Sequence, residues 1–261
     1  MAIDKGQFSD VTAVAQALQP SYPVYCLRPK VLEASAKRFI SQFPGTVLYA
    51  VKCNPHPLVL GALYKGGIRH FDTASLTEIA QISDTYADAH TYFMHPVKGR
   101  AVITSAHKVY GVHHFVIDHL DELNKITDEI GAQGNTIIVR LHTPPADDTL
   151  YHLAAKFGAE PEEAATLMKA AKAQGYAVGL AFHVGSQCRS PDAYRAALKV
   201  LGEVVEMAGI EPVCIDVGGG FPAAYGDRPV PELDAYMAVI REGLKRLKLS
   251  PTVDVFSEPG R

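Results

Sequence analysis

The sequence predicts an α/β protein built as a (β/α)8, TIM-like barrel. Three observations carry this. Short apolar runs alternate with amphipathic ones along the chain, and the apolar runs number eight. The 261-residue length would suit two ordinary domains, or one barrel of the usual ~250 residues. Strict β/α alternation implies a parallel sheet, and eight such units favour closure over an open sheet.

Taken in order, the expected strands are Thr46–Lys52, Arg69–Thr73, His90–His95, His113–Asp118, Thr136–His142, Ala177–Val184, Pro212–Val217 and Thr252–Ser257. They are rich in Val, Ile, Phe and Tyr and are bounded by Gly, Pro, Asn or Asp. Helical stripes lie between them. Ser75 and Glu78 form a capping box. Leu120, Leu123, Ile126 and Ile130 share one face behind Asp118, read as the N-cap. Tyr194, Leu198, Leu201 and Val205 follow Ser190 and Pro191. Leu233, Tyr236, Met237, Ile240, Leu244 and Leu247 make the clearest stripe, beginning at Pro231. The first ~28 residues stand outside the alternation.

Composition narrows the function. The chain is 48% hydrophobic and 20% charged, with a formal charge of −3. That excludes disorder and argues against nucleic-acid binding, which needs a basic footprint. No run of ~18 apolar residues predicts a membrane span, and the polar N-terminus lacks a signal-peptide core. Cys26, Cys53, Cys188 and Cys214 are scattered, which suits a reduced, cytoplasmic protein. The eleven histidines show no metal-ligand spacing, so no metal is expected.

In a barrel, chemistry gathers at the C-terminal ends of the strands. Reading those ends gives Lys52, Asp72, Arg140, His183 with Ser186, Gly218–Gly220, and Glu258 with Arg261. Lys52 follows an apolar strand. It is a Schiff-base former whose pKa desolvation would lower, or a lysine snorkelling to the rim. The glycines after Asp216 form a phosphate nest, helped by a helix N-terminus, or a plain turn. His183 is a base, a metal ligand, a flat stacking surface or a structural residue. Glu258 is a carboxylate facing a pyridine nitrogen, which would keep that nitrogen protonated, or a surface cap. Cys53 and the doublet His113-His114 read as packing residues, the doublet at the wrong end of its strand for chemistry.

Five segments in order, YAVKCN (Tyr49–Asn54), FDTAS with the following TE (Phe71–Glu78), HVGSQ (His183–Gln187), GGGFP (Gly218–Pro222) and EPGR (Glu258–Arg261), resemble the fold type III pyridoxal phosphate (PLP)-dependent decarboxylases. This group includes the ornithine, lysine, diaminopimelate and biosynthetic arginine decarboxylases. The resemblance implies that Lys52 holds pyridoxal 5'-phosphate as a Schiff base, that His183 stacks on its ring and that Glu258 pairs with the ring nitrogen. Ser186, Gly218, Gly219, Gly220 and Arg261 would bind its phosphate, with Asp72, Glu78 and Arg140 as supporting residues. The implied reaction is α-decarboxylation of a basic amino acid, ornithine or lysine, to a diamine, with diaminopimelate or arginine as the alternative substrate; the Arg140–Gly158 stretch resembles ornithine decarboxylase more than the diaminopimelate branch.

The family continues past EPGR with an eighth helix and a β domain, and it forms homodimers. Residues 1–28 are therefore expected to pair with that domain. Residues 29–261 are expected to form a barrel without its last helix, its apolar outside uncovered beside the first and eighth strands. Two other readings remain at this stage: a non-catalytic PLP-binding barrel, and a Schiff-base aldolase in which Glu258 is incidental.

Overall fold

The computed structural model describes residues 6–144, 156–225 and 229–261. Two helices, α1 (Val11–Leu18) and α2 (Pro29–Gln42), precede the first strand. Then β1 (Thr46–Ala50), α3 (Pro57–Lys65), β2 (His70–Thr73), α4 (Leu76–Thr85), β3 (His90–Phe93), α5 (Arg100–Lys108) and β4 (His114–Ile117) follow. The remainder is α6 (Leu120–Ile130), β5 (Thr136–Leu141), α7 (Pro161–Ala173), β6 (Ala177–Phe182), α8 (Asp192–Ala208), β7 (Cys214–Asp216), α9 (Leu233–Leu247) and β8 (Asp254–Ser257). All eight expected strands form, in a closed parallel barrel running β1 to β8 in sequence order. Closure is made by β1 pairing with β8, Thr46 beside Phe256 and Val47 beside Ser257.

Alternation along the strands builds two layers. Leu48, Tyr92, Met94, Val116, Ile138, Ala181, Cys214 and Phe256 fill the barrel interior. Val47, Tyr49, Phe71, Phe93, Phe115, Ile137, Val139, Leu180 and Ile215 belong to the separate core cluster that also holds the buried helix residues. The helix faces anticipated from the stripes are the buried ones: Leu123 and Ile126 in α6, Leu198 and Leu201 in α8, Met237 and Ile240 in α9.

Two expectations change. The side of the barrel beside β1 and β8 is covered, because α2 fills it from the N-terminal direction. Ala36 and Glu33 of α2 abut Gly66 at the end of α3. On the other flank Arg38 pairs with Glu232 at 3.1 Å, and the Arg241 guanidinium of α9 donates to the Gln42 carbonyl. Phe39 meets Phe221 edge-on, ring centres 5.0 Å apart. Thus α2 to α9 ring the strands among the described residues. Second, α6 is capped by His119, whose Nδ1 accepts the Asp121 N–H at 3.1 Å. Asp118 instead accepts the Gly158 N–H at 3.0 Å, tying the β4 end to the segment after β5. Of the Arg140–Gly158 stretch, residues 145–155 lie outside the described residues.

Candidate active site

The first strand stops at Ala50, not Lys52. The Ala50 N–H donates to the Pro259 carbonyl at 3.0 Å, and the chain turns through one 3-10 turn, Val51–Cys53. Lys52 is thereby lifted onto the C-terminal rim. Its Nζ donates to Asp72 Oδ2 at 2.8 Å. Asp72 lies in β2 beside Ala50, its side chain buried, while the Lys52 side chain is half exposed. The Lys52 pKa is raised, not lowered as its apolar strand alone would suggest. Burial does pull it down, but the negative charges of Asp72 and then Glu258 outweigh that and hold it above the ordinary lysine range.

Arg140, on β5, reaches the same cluster; its guanidinium also lies 5.5 Å from the centre of the Phe157 ring. His183 follows the last residue of β6. Its Nδ1 accepts the Gly185 N–H at 3.0 Å, which leaves the ring proton on Nε2. Burial pushes its pKa down to about 3, and the charges of Arg140 and Lys52 add to this. The ring is therefore neutral and flat at neutral pH, a stacking surface more than a base.

The glycine run after β7 is shaped by its neighbours. Gly218, at φ +67°, donates its N–H to Asp216 Oδ1 at 2.7 Å and accepts from the Glu258 N–H at 2.8 Å. The Gly219 carbonyl accepts the Tyr194 hydroxyl at 2.8 Å, and the Gly220 carbonyl accepts the Cys188 N–H at 2.8 Å. With the carbonyls turned into the protein, the Gly219 and Gly220 N–H groups donate to no acceptor among the described residues. A Cβ at any of the three would collide with backbone oxygen, of Phe182, Glu258 or Gly185 respectively. The nest lacks the helix dipole anticipated from sequence, since α9 begins only at Leu233. Its donors are backbone amides alone.

Ser186 sits between two left-handed residues, Gly185 at φ +101° and Gln187 at φ +56°. The Gln187 amide clasps Ala223, donating to its carbonyl at 3.1 Å and accepting its N–H at 2.7 Å. This holds the loop after β6 against the glycine loop. Gly260 packs against the Cys53 sulfur, so Arg261 is brought to the rim, where it donates to the Tyr225 hydroxyl at 3.3 Å. Glu78 stays out of the cluster. Its Oε2 accepts the Ala74 N–H at 2.6 Å, and its own N–H donates to Ser75 Oγ at 3.3 Å, so it caps α4.

The sequence reading missed one member of the cluster, Asp216. It is fully buried at the end of β7 and set against Glu258 at the end of β8. Burial raises the pKa of both, most strongly for Glu258, where Asp216 and Asp72 add like-charge repulsion. The available signal was an acidic residue closing an apolar strand directly before the glycines.

A family profile described as "Pyridoxal-dependent decarboxylase, pyridoxal binding domain" matches residues 30–261. The chain belongs to this family. Its cofactor is pyridoxal phosphate. A curated lysine/ornithine decarboxylase from Selenomonas ruminantium is 36% identical over 220 residues, 82% of this chain and 54% of the relative. A lysine/ornithine decarboxylase from Vibrio vulnificus, solved with putrescine, superposes with a TM-score of 0.81 at 32% identity, covering 96% of this chain and 68% of that one. The arginine decarboxylase of Paramecium bursaria Chlorella virus, bound to agmatine, gives 0.83 at 28% identity, covering 96% and 67%. The chain spans about half the length of the curated relatives it matches.

The residues present fit the cofactor. A primary amine stands at the rim on Lys52, the Gly219 and Gly220 N–H groups have no acceptor among the described residues and suit an anion, and a neutral ring and a buried carboxyl complete the set.

Proposed function

We propose that this chain is the cofactor-binding barrel of a decarboxylase that acts on a basic amino acid. The reading favoured is ornithine or lysine, giving a diamine for polyamine synthesis. The observation that carries it is the convergence of Lys52, His183, Glu258 and the free Gly219–Gly220 amides on one rim. Arrangements for other phosphate-bearing substrates do not need a buried carboxyl opposite the lysine.

The cofactor, once bound, supplies a ring that accepts the electron pair left when carbon dioxide departs. The chain's own residues do the rest. Lys52 attaches the cofactor, and Asp72 stabilises its ammonium whenever the amine is released. His183 presents its neutral face to the ring. Glu258 holds a proton at the ring nitrogen. The Gly219 and Gly220 amides, the Gly218 turn, Ser186 and Arg261 bind the phosphate, and Arg140 balances the carboxylates.

The N-terminal segment fits a docking role. No residue of α1 is buried, and Tyr22 and Tyr25 are exposed. We infer that the 1–28 segment packs on a β region beyond the barrel, in a cytoplasmic homodimer. Among the described residues no helix is long and apolar enough to cross a membrane.

The test is direct. The protein should be yellow, and borohydride reduction followed by peptide mapping should place a pyridoxyl group on Lys52. Label elsewhere, or none, overturns the reading. Carbon dioxide release should be measured from ornithine, lysine, arginine and diaminopimelate. Release from diaminopimelate alone would overturn the basic-substrate assignment.

A further inference from the structure

The two carboxyls at the ends of β7 and β8 form an unusual pair. Asp216 has no solvent exposure. One of its oxygens, Oδ1, accepts the Gly218 N–H at 2.7 Å. The other, Oδ2, is buried with no hydrogen-bond donor among the described residues. A buried acceptor left bare costs about 1–3 kcal/mol. The adjoining group is the Glu258 carboxyl. The strand register, Asp216 beside Phe256, and the Glu258 N–H bond to the Gly218 carbonyl at 2.8 Å fix the two side by side.

Charge counting points the same way. Asp216, Glu258 and Asp72 are three carboxyls, against two cations, Lys52 and Arg140. Lys52 is already committed to Asp72 at 2.8 Å, and His183 is neutral. Cys214, the other titratable group facing Asp216 from β7, is a buried thiol that burial keeps protonated. That leaves the single charge of Arg140 against two adjoining buried carboxyls, and a buried pair with one cation between them does not fully ionise. A proton on Glu258 would also supply the O–H that Asp216 Oδ2 lacks.

We propose that Asp216 is a positioning residue for Glu258: the two share one proton in the free barrel, and that proton is handed to the cofactor's ring nitrogen on loading. This rests on the proposed site for pyridoxal phosphate. The balance is simple. The Glu258 O–H bond breaks, an N–H bond forms at the ring, Glu258 is left as the carboxylate that faces it, and no electrons are exchanged. The barrel thus arrives with the proton it needs, and loading draws none from solvent for that nitrogen.

The experiment compares wild type with Asp216→Asn. The amide oxygen keeps the Gly218 N–H partner, while the amide N–H donates to Glu258 and favours its ionised form. Titration calorimetry of pyridoxal phosphate into the cofactor-stripped chain, in buffers of different ionisation enthalpy at pH 8, counts protons taken up. Asp216→Asn should take up more than wild type, by up to about one proton per site. Equal uptake overturns the proposal. Infrared difference spectra provide a second measurement on the free chain, should the variant fail to fold. A protonated carboxyl band should be present, be absent in Glu258→Gln, and vanish on loading. If no such band is found in the free wild type, the proposal fails. Borohydride labelling separates the two failures: without label at Lys52 the cofactor site itself is wrong, whereas a normal label with equal proton uptake condemns only the shared proton.

Discussion

The two mouths of this barrel are made from the same eight strands yet solve burial in opposite ways. The C-terminal mouth gathers Lys52, Asp72, Arg140, Asp216 and Glu258 around a neutral His183. The N-terminal mouth gathers aromatic and imidazole rings. His70 stacks on His90 with ring centres 4.9 Å apart, and Tyr92 lies 4.7 Å from His114. The His70 Nδ1 and the Tyr92 hydroxyl are 3.0 Å apart. Burial pushes His114 down to about 4 and also lowers His70. A cavity of about 160 Å³ is lined there by His90, Tyr92, His113 and His114. One end keeps charge where opposite signs meet, Lys52 against Asp72. The other makes its titratable rings neutral. Buried polar groups survive either by pairing or by discharging, and only the paired end stays reactive.

The largest effect should come from breaking the pair at the reactive end. Lys52→Ala should abolish pyridoxyl labelling outright. It should also cost about 2 kcal/mol in urea unfolding, because Asp72 is left buried without its cation, at a lysine that is itself half solvated. Adding Asp72→Asn should recover most of that stability and none of the labelling. Glu258→Gln comes next. The cofactor should still bind, while single-turnover decarboxylation slows by roughly 10–100-fold, since a neutral amide does not hold the ring proton. Unchanged rates would remove Glu258 from its assigned role.

Gly219→Ala should cost about 2 kcal/mol of stability and weaken cofactor affinity, because the new methyl runs into the Glu258 carbonyl, a backbone atom that has nowhere to go. The pH dependence sharpens the contrast between the ends. His114 and His183 titrate near 4 and 3 in the fold, so the unfolded chain binds protons below its ordinary histidine pKa of about 6.5 that the native chain refuses. Stability therefore falls as pH drops from about 6.5 toward 4. Glu258 works in the opposite sense. Its raised pKa makes the native chain bind the extra proton above the unfolded glutamate value, so its contribution improves as pH falls. His114→Gln should flatten the acid slope by about one proton, about 1.4 kcal/mol per pH unit, with labelling at Lys52 untouched. A slope that stays the same would refute the discharged-ring account of the lower mouth. Smallest of all, Tyr92→Phe removes one neutral hydrogen bond to His70 and should cost about 1 kcal/mol or less by thermal melting.

Much of the site was legible beforehand because barrel topology converts order along the chain into position around a rim. A residue at the end of an apolar run must point to one mouth, so Lys52, Asp72, Arg140, His183 and Glu258 could be gathered without coordinates. Asp216 is not legible in this way, because nothing local distinguishes a strand-end aspartate that caps a glycine from one that opposes a second carboxyl. That distinction depends on β7 and β8 lying side by side. The direction of the lysine's pKa shift is hidden in the sequence for a related reason. Burial is visible in a neighbouring LYAV, but the compensating Asp72 sits one strand away. The N-cap of α6 moved from Asp118 to His119 because Asp118 was drawn into a bond with Gly158, a partner beyond β5.

The sequence by itself determined the alternation of strands and helices, the count and order of strands, the apolar helix faces and the residues that reach the C-terminal rim. These follow from periodicity and from the fixed geometry of parallel β/α units, which are local or topological. Only the tertiary structure decided that α2 closes the ring beside β1 and β8, that the Gly219 and Gly220 amides keep no acceptor among the described residues, and which carboxyl pairs with a cation and which with another carboxyl. Those outcomes depend on distances between segments remote in sequence, and Coulomb and hydrogen-bond energies change sharply over an ångström or two.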